Sequence, residues 1–152
     1  MALGWSAGRV LTAGTAGGVW QLRGGAWARL GGAGPAGVDA LAACPDGALV
    51  AGTGGGIWKW AGGRWAQVPG PPSGSPAVAC LPDGGVLSGS FGAGVWEAAP
   101  GSGAAVELGG AASPLSHFSV LAIALGRAGS VYAGTNSDGV WRYGGLGAGA
   151  GP

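Results

Sequence analysis

The chain has 152 residues, of which 38 are Gly and 10 are Pro, a content that would be typical of disorder if the sequence had no period. However, 47% of the residues are hydrophobic, only 9% are charged and eight are Trp, whereas disordered chains are usually charged and poor in aromatic residues. The net charge of +1, without a run of basic residues, argues against a nucleic-acid partner, and no apolar stretch approaches the roughly 18 residues of a membrane span.

The first residues of the chain show no targeting signal. The stretch from Met1 to Trp5 contains neither a basic residue nor the apolar core of a signal peptide. We therefore expect a cytoplasmic protein if Met1 is the true start.

The first predicted unit covers residues 1–34. Its first strand is predicted near residues 2–6. An Ala-Gly-Thr segment at residues 13–15 then leads to Gly-Val-Trp at residues 18–20, and another Trp stands at position 27. Short apolar segments separated by Gly-rich turns are typical of strands joined by hairpins.

The second unit, residues 35–72, shows the pattern most clearly. It predicts four antiparallel strands, called a to d in each unit, which are joined by turns at Pro-Asp-Gly, Gly-Gly and Ala-Gly-Gly sequences. In strand c, Trp58 and Trp60 alternate with Ile57 and Lys59, so that each pair points to one face of the sheet. The predicted strands are residues 38–44, 48–53, 57–60 and 64–68.

The last two units repeat this pattern less completely. In the third unit, residues 73–113, strand d is weak and Val106 stands where earlier units have Trp. The fourth unit, residues 114–145, is followed by a Gly-rich tail at residues 146–152 that predicts no strand. The strands predicted in the fourth unit are residues 118–125, 130–135 and 140–143. We therefore expect this unit to lack its outer strand.

Four Trp residues recur in register across the units. They are Trp20, Trp58, Trp96 and Trp141. Each follows a Gly and a Val or Ile in strand c, and a period of about 40 residues with several short strands per unit is typical of a β-propeller. We predict an all-β, propeller-like array of about four four-stranded antiparallel blades, with these Trp residues as the structural core between blades.

The two cysteines, Cys44 and Cys80, come shortly before similar turns in successive units. These positions place them on neighbouring blades and not opposite each other on one ladder. We interpret both as small buried apolar residues, with a disulfide as the alternative. A metal site is not expected, because the chain has one His and no Cys-x-x-Cys motif.

The repeats resemble those of known propeller families. Residues 38–58 resemble the repeat of two-component regulator propellers. Residues 131–135 and 139–142, Val-Tyr-Ala-Gly-Thr and Gly-Val-Trp-Arg, are similar to BNR propellers of the sialidase and photosystem-assembly types. The resemblance covers almost the whole chain and implies a propeller, but such repeats occur in sensors, assembly factors and glycosidases alike.

The sequence also departs from these families. The aromatic residue that regulator repeats carry in strand b remains only as Tyr132, whereas Val50 and Leu87 take its place in other units. The Asp-box of sialidases is reduced to Gly-Gly-Arg-Trp at residues 62–65 and Gly-Gly-Ala-Trp at residues 24–27. The missing Asp-boxes argue against a sialidase-type enzyme.

Any ligand contact is expected on one face of the array. In an up-and-down blade, the b–c turns and the blade-to-blade d–a connections emerge on the same face, and loops on a rigid scaffold are where binding tends to occur. The longest connection, residues 109–119, is also the most polar in its side chains. The candidates for ligand contact on this face are Asp39, Ser116, His117, Asn136 and Asp138.

These candidates also have plain structural interpretations. His117 is the only His, and nothing in the sequence brings a carboxylate to it, so it is either a ligand contact or an ordinary loop residue. Residues 136–139, Asn-Ser-Asp-Gly, could offer oxygens to a cation, but the same residues favour a tight turn. Glu97 and Glu107 stand too far apart in the repeat to form an obvious acid–base pair.

We therefore expect a non-catalytic binding or scaffold module with no catalytic residue, metal or cofactor, whose ligand is a protein, a small molecule or a carbohydrate. The alternatives are an inactive fragment of a larger propeller and a sialidase-like or lyase-like carbohydrate-active enzyme. An incomplete fourth blade leaves a strand edge and a blade face exposed, so a homo-oligomer that completes the ring is also expected.

Overall fold

Four antiparallel sheets follow one another along the chain in the computed structural model, which describes residues 1–6 and 8–144. Within each sheet the strands pair in chain order, so that consecutive strands are hairpin neighbours. We number the strands β1 to β15 along the chain. The predicted Gly-rich tail at residues 146–152 lies outside the described residues.

The first three sheets have four strands each. The first comprises β1 (Ala2–Ser6), β2 (Val10–Thr15), β3 (Gly18–Arg23) and β4 (Ala26–Arg29). The second comprises β5 (Val38–Ala43), β6 (Leu49–Thr53), β7 (Gly56–Ala61) and β8 (Arg64–Val68). The third comprises β9 (Ala77–Cys80), β10 (Val86–Gly89), β11 (Val95–Ala98) and β12 (Val106–Glu107).

The fourth sheet has three strands within the described part of the chain, β13 (Val120–Leu125), β14 (Val131–Thr135) and β15 (Val140–Tyr143). Two short 3-10 turns, Gly110–Ala112 and Arg127–Gly129, flank β13. None of the described residues belongs to a helix that is long and apolar enough to cross a membrane. The expected all-β, propeller-like array of four blades, the last with three strands over these residues, is confirmed.

The sheets stack in chain order through their first strands. β1 packs against β5, β5 against β9, and β9 against β13, as the inner strands of a propeller do. Each sheet therefore has one face that points to the next sheet in the chain, which we call the forward face. The opposite face, which points to the preceding sheet, we call the backward face.

The core between the sheets depends on the forward-face residues of the third strands. Val19, Ile57 and Val95 are each exposed by 1% or less. Val19 packs with Val38 of the second sheet, and Val95 packs with Val120 of the fourth. Burying a side chain of this size stabilises the folded state by about 1.5–3 kcal/mol.

A Gly in the second strand lets each sheet approach the next one. A Cβ atom at Gly14 would run into Val38, and one at Gly89 would run into Val120, which are the first residues of the inner strands that follow. Gly52 meets the backbone of the connection that precedes the third sheet in the same way. The recurring Gly of the Ala-Gly-Thr and Ser-Gly-Ser segments therefore permits the stacking of the sheets.

The four Trp residues in the third strands occupy equivalent positions and are half-buried, and Trp58 and Trp141 pack against the buried clusters. They are Trp20, Trp58, Trp96 and Trp141. Trp58, for example, lies on the backward face and packs in a cluster with Val19 of the first sheet. The indole ring is too large to be enclosed completely between two sheets, whereas the Val or Ile beside it in the first three sheets is fully covered.

Cys44 and Cys80 form a disulfide between the second and third sheets, which corrects their interpretation as unbonded apolar residues. Both are buried, and they lie on neighbouring sheets as expected. Their Cα atoms are 5.1 Å apart, within the usual range for a disulfide. The bond was missed because the two positions are not equivalent in the repeat. Cys44 lies on the forward face of one sheet and Cys80 on the backward face of the next, so stacking brings them together.

Replacing Val95 by Ala should lower the free energy of unfolding by about 2 kcal/mol, because buried methyl groups are lost and a cavity remains. Val106 lies on the neighbouring strand and is 63% exposed. Val106→Ala is therefore the matched control and should change stability by less than about 0.5 kcal/mol. Urea unfolding followed by Trp fluorescence measures both, and equal effects would contradict the assigned core.

Removing the disulfide should destabilise the fold by about 2–4 kcal/mol, because the bond closes a loop with a sequence separation of 36 residues. The variant for this test is Cys44→Ala/Cys80→Ala, and thermal unfolding followed by circular dichroism is the measurement. Dithiothreitol should lower the melting temperature of the wild type and leave that of the variant unchanged. A variant as stable as the oxidised wild type would show that the bond contributes nothing.

Candidate functional site

The b–c turns and the d–a connections emerge at the same end of the array, which we call the upper face. Backbone hydrogen bonds join the two sets of loops. The Gly37 N–H donates to the Ala16 carbonyl at 3.0 Å, and the Gly94 N–H donates to the Phe118 carbonyl at 3.2 Å. In both cases the turn of one sheet contacts the connection that enters the next sheet, so the predicted placement of these loops on one face is observed.

A Thr at the end of the second strand shapes the b–c turn in the first, second and fourth sheets. The Thr15 hydroxyl accepts a hydrogen bond from the Gly17 N–H at 3.1 Å and donates to the Gly18 carbonyl at 3.0 Å. Thr53 forms the same pair of bonds at 3.1 and 2.9 Å, and Thr135 forms a similar pair. The turns therefore satisfy many of their own polar groups and hold a defined shape.

Asn136 and Asp138 lie in the b–c turn of the fourth sheet, where their polar groups bond locally. The Asp138 N–H donates to the Thr135 hydroxyl at 2.9 Å, and the Asp138 carboxylate accepts a hydrogen bond from the Trp141 indole at 3.1 Å. The Asn136 side-chain oxygen accepts from the Ser137 hydroxyl at 3.3 Å. This geometry is that of the tight turn that the residues favour.

Ser116 and His117 lie in the long connection between the third and fourth sheets. The Ser116 hydroxyl donates to the carboxylate of Glu107 at the end of β12, and so holds the connection against the third sheet. The His117 side chain is exposed. The connection meets the turn that holds Asn136, because the Asn136 N–H donates to the Ser119 carbonyl at 3.1 Å. These two segments therefore form one continuous surface.

Asp39 lies apart from the other four candidates, on the second sheet. Val38 pairs with Thr53 and Ala40 with Gly52, so Asp39 is the extra residue of a β-bulge in β5, and it is exposed. Among the residues that the structure describes, no three His, Cys, Asp or Glu side chains lie close enough to hold a metal ion. The upper face therefore consists of polar loops whose conformations are held by hydrogen bonds.

A polar cluster that was not predicted joins the third and fourth sheets. Its members are Glu107, Ser113, Ser116 and Tyr143, and the hydroxyls of Ser113 and Tyr143 are 2.6 Å apart. Burial raises the pKa of Tyr143 above its usual value, the hydrogen bond with Ser113 lowers it, and the charge of Glu107 raises it. The cluster clamps the long connection between two sheets. The only sequence feature that marked this region was that strand d of the third unit lacks the Trp that strand d has in the first two units.

Glu97 and Glu107 are closer in space than their positions in the repeat suggest, but they face apart. Trp96 pairs with Glu107, and Glu97 pairs with Val106, so the two carboxylates lie on adjacent rungs of the ladder between β11 and β12. Adjacent rungs point to opposite faces of a sheet. The two groups therefore cannot flank a single glycosidic bond as an acid–base pair does.

A cleft of about 210 Å³ lies between the second and third sheets, and most of its lining is at the end of the array opposite the upper face, which we call the lower face. It is lined by Lys59, Gln67, Gly84 and residues 98–102, among others. The Lys59 ammonium donates to the Gly84 carbonyl at 3.1 Å and is 3.6 Å from the Asp46 carboxylate. Its charge therefore serves first to bridge the two sheets.

The chain is similar in structure to several solved proteins at low sequence identity. The computationally designed Ika4 protein matches with a TM-score of 0.72 and 22% identity, over 95% of this chain and 90% of that one. The extracellular domain of BT4673 from B. thetaiotaomicron, assigned as a hybrid two-component system, matches with a TM-score of 0.74 and 16% identity, over 94% of this chain and 20% of that one. The GH74 xyloglucanase from Xanthomonas campestris matches with a TM-score of 0.73 and 21% identity, over 94% of this chain and 26% of that one.

These likenesses show the fold alone, because one fold carries many activities. Comparison with protein-family models and with curated protein sequences finds no match. The chain spans most of the designed protein but only 20% of the BT4673 domain and 26% of the xyloglucanase.

Tyr143 should cause a specific loss of stability at alkaline pH. Because its pKa is raised in the folded state, its contribution is complete below the ordinary Tyr pKa of about 10 and is lost as the pH rises through the folded value. Tyr143→Phe should remove this pH dependence. Tyr132→Phe is the matched control, since Tyr132 is the other Tyr and is 38% exposed.

The measurement is the urea midpoint from neutral pH to above the ordinary Tyr pKa. The wild type and Tyr132→Phe should lose stability more steeply than Tyr143→Phe over the alkaline part of this range. Parallel curves for all three proteins would show that Tyr143 is not coupled to folding.

Proposed function

We propose that the chain is a non-catalytic binding or scaffold module that offers its upper face to a ligand. The observation that carries this proposal is the rigid stack of four sheets, which holds hydrogen-bonded loops in defined positions at one end. Loops on such a scaffold are where binding residues concentrate. The resemblance of the repeats to two-component regulator propellers, together with the likeness to the extracellular domain of BT4673, supports a sensor-type role.

The ligand contacts are assigned to the surface formed by residues 113–119 and 136–139. His117 presents an exposed imidazole there, and the turn that carries the exposed Asn136 and Asp138 is hydrogen-bonded to the same connection through Ser119. Asp39 adds a separate exposed carboxylate on the second sheet. Such groups suit a ligand with several hydrogen-bonding groups, such as a carbohydrate or a peptide segment, and they require no metal or cofactor.

Amide chemical shifts of the isotope-labelled protein should locate this surface. Titration with xyloglucan oligosaccharides and with a mixture of short peptides should cause saturable shifts at residues 113–119 and 136–139. His117→Ala should weaken the binding of any probe that causes such shifts, whereas Arg64→Ala, at a turn on the lower face, should not. Shifts confined to the residues that line the cleft around Lys59 would contradict the proposed position of the binding site on the upper face.

A carbohydrate-active enzyme of sialidase or lyase type is a second candidate, favoured by the likeness to the GH74 xyloglucanase. The opposed orientation of Glu97 and Glu107 argues against it. Incubation with xyloglucan and with fluorogenic sialosides should therefore release no product above a blank. Product formation that is abolished by Glu107→Gln or Asp39→Asn would overturn the non-catalytic assignment.

An inactive portion of a larger propeller is the third candidate. It is favoured by the exposure of apolar residues on the first and fourth sheets, where Trp5 is 65% and Val140 is 74% exposed. Additional blades encoded beside this sequence would cover these faces. The reading frames upstream and downstream of the sequence distinguish this candidate from a self-sufficient module.

A further inference from the structure

The forward face of the fourth sheet is exposed, although the same face is buried in every other sheet. Val140 holds the register position of Val19 and Ile57, but it is 74% exposed and they are each 1% exposed. Tyr132 holds the position of Val50, but it is 38% exposed and Val50 is 0% exposed. Among the described residues, no further sheet covers this face of the fourth sheet, although its residues correspond to those that are buried in the other three sheets.

The backward face of the first sheet is exposed in the same way. Leu3 holds the register position of Leu41, which packs against the first sheet, but Leu3 is 63% exposed. Trp27 holds the position of Trp65, whose indole donates to the Leu30 carbonyl at 2.8 Å, but Trp27 is 46% exposed. The two end faces are thus the two halves of an interface that the chain already forms three times internally.

The register of the internal interfaces predicts which residues of the two end faces would meet. Within the chain, Cys44 on a forward face meets Cys80 on the following backward face. By hairpin register, the residues at these two positions on the end faces are Gly126 and Trp5. Trp5 would therefore face Gly126, beside which the Tyr132 ring of the same sheet lies.

At a second position, the forward face of the fourth sheet has open space where the first sheet has an exposed apolar side chain. A Cβ at Gly52 would lie 3.0 Å from Val78 of the next sheet, whereas one at Gly134 would meet only Ala122 of its own sheet, at 3.4 Å. Gly134 is therefore an open notch in the forward face of the fourth sheet. The residue that holds the register position of Val78 in the first sheet is the exposed Leu3.

We propose that the forward face of the fourth sheet packs against the backward face of the first sheet of a second copy of this chain. A reciprocal contact then closes a twofold ring of eight blades. Head-to-tail contacts form rings when the rotation closes, and propellers typically contain four to eight blades, a range that three copies would exceed. A second copy is favoured over other partners because its end face repeats the register and residue types of the internal interfaces.

Sedimentation of the purified chain tests the stoichiometry. We expect a single species of twice the chain mass of 14.3 kDa. Val140→Asp should give a folded monomer with an unchanged circular dichroism spectrum, because this side chain is exposed in a single copy. Phe91→Asp, at a 49% exposed position in a b–c turn, is the control and should remain a dimer. A monomeric wild type, a trimer or a species without defined mass would overturn the proposal.

Disulfide cross-linking tests the orientation of the two copies. One variant carries Trp5→Cys, and the other carries Gly126→Cys with Tyr132→Val, because a Cβ at position 126 would meet the Tyr132 ring. An oxidised equal mixture should give a covalent dimer of one copy of each, which dithiothreitol separates, whereas either variant alone should give single chains. Cross-linking of Trp5→Cys with itself, or the absence of the mixed product from a preparation that sediments as a dimer, would overturn the head-to-tail arrangement.

Discussion

The close approach of each sheet to the next depends on one backbone position, the Gly in the second strand. Where Gly14, Gly52 and Gly89 lie, the following sheet or its connection occupies the space that a Cβ would need. This contact brings the forward-face Val and Ile residues against the next inner strand, so hydrophobic burial follows from it. The high Gly content of the chain is therefore partly a packing requirement, which separates it from the compositional bias of a disordered chain.

The order of the strands could be predicted from the sequence, because the Ala-Gly-Thr and Gly-Val-Trp segments mark the same two strands in successive units. The placement of Val106 at the Trp position of strand d was wrong, because Val106 pairs with Glu97 and so corresponds to Ala66 and not to Trp65. The degree to which each side chain is buried could not be predicted in this way. Val19 and Trp20 alternate along one strand, and only the distance between stacked sheets decides which of them is enclosed. The disulfide was missed for a related reason, since Cys44 and Cys80 hold different positions in the repeat and meet only through stacking.

The candidate site could be predicted as a set of loops but not as a pattern of contacts. The turn at residues 136–139 was foreseeable because Asn, Ser, Asp and Gly favour tight turns locally. The bond between Ser113 and Tyr143 was not, because it joins a connection to a strand in a different part of the chain, and no local pattern encodes it. The upper face therefore contains both turns that the local sequence specifies and contacts between segments that are far apart in the chain. The proposed binding role depends on both.

The disulfide has a consequence for how the structure opens. Residues 44 to 80 form a covalent loop that contains β6, β7, β8 and β9, so the second and third sheets stay tethered at this point while the bond is intact. In a single copy each sheet is held mainly by its neighbours, and such arrays fray from their ends. In a single copy we therefore expect the backbone amides in β6 and β10 to exchange more slowly than those in β1 and β15. Closure of the ring by a second copy would reduce this difference, because both end sheets would then be covered.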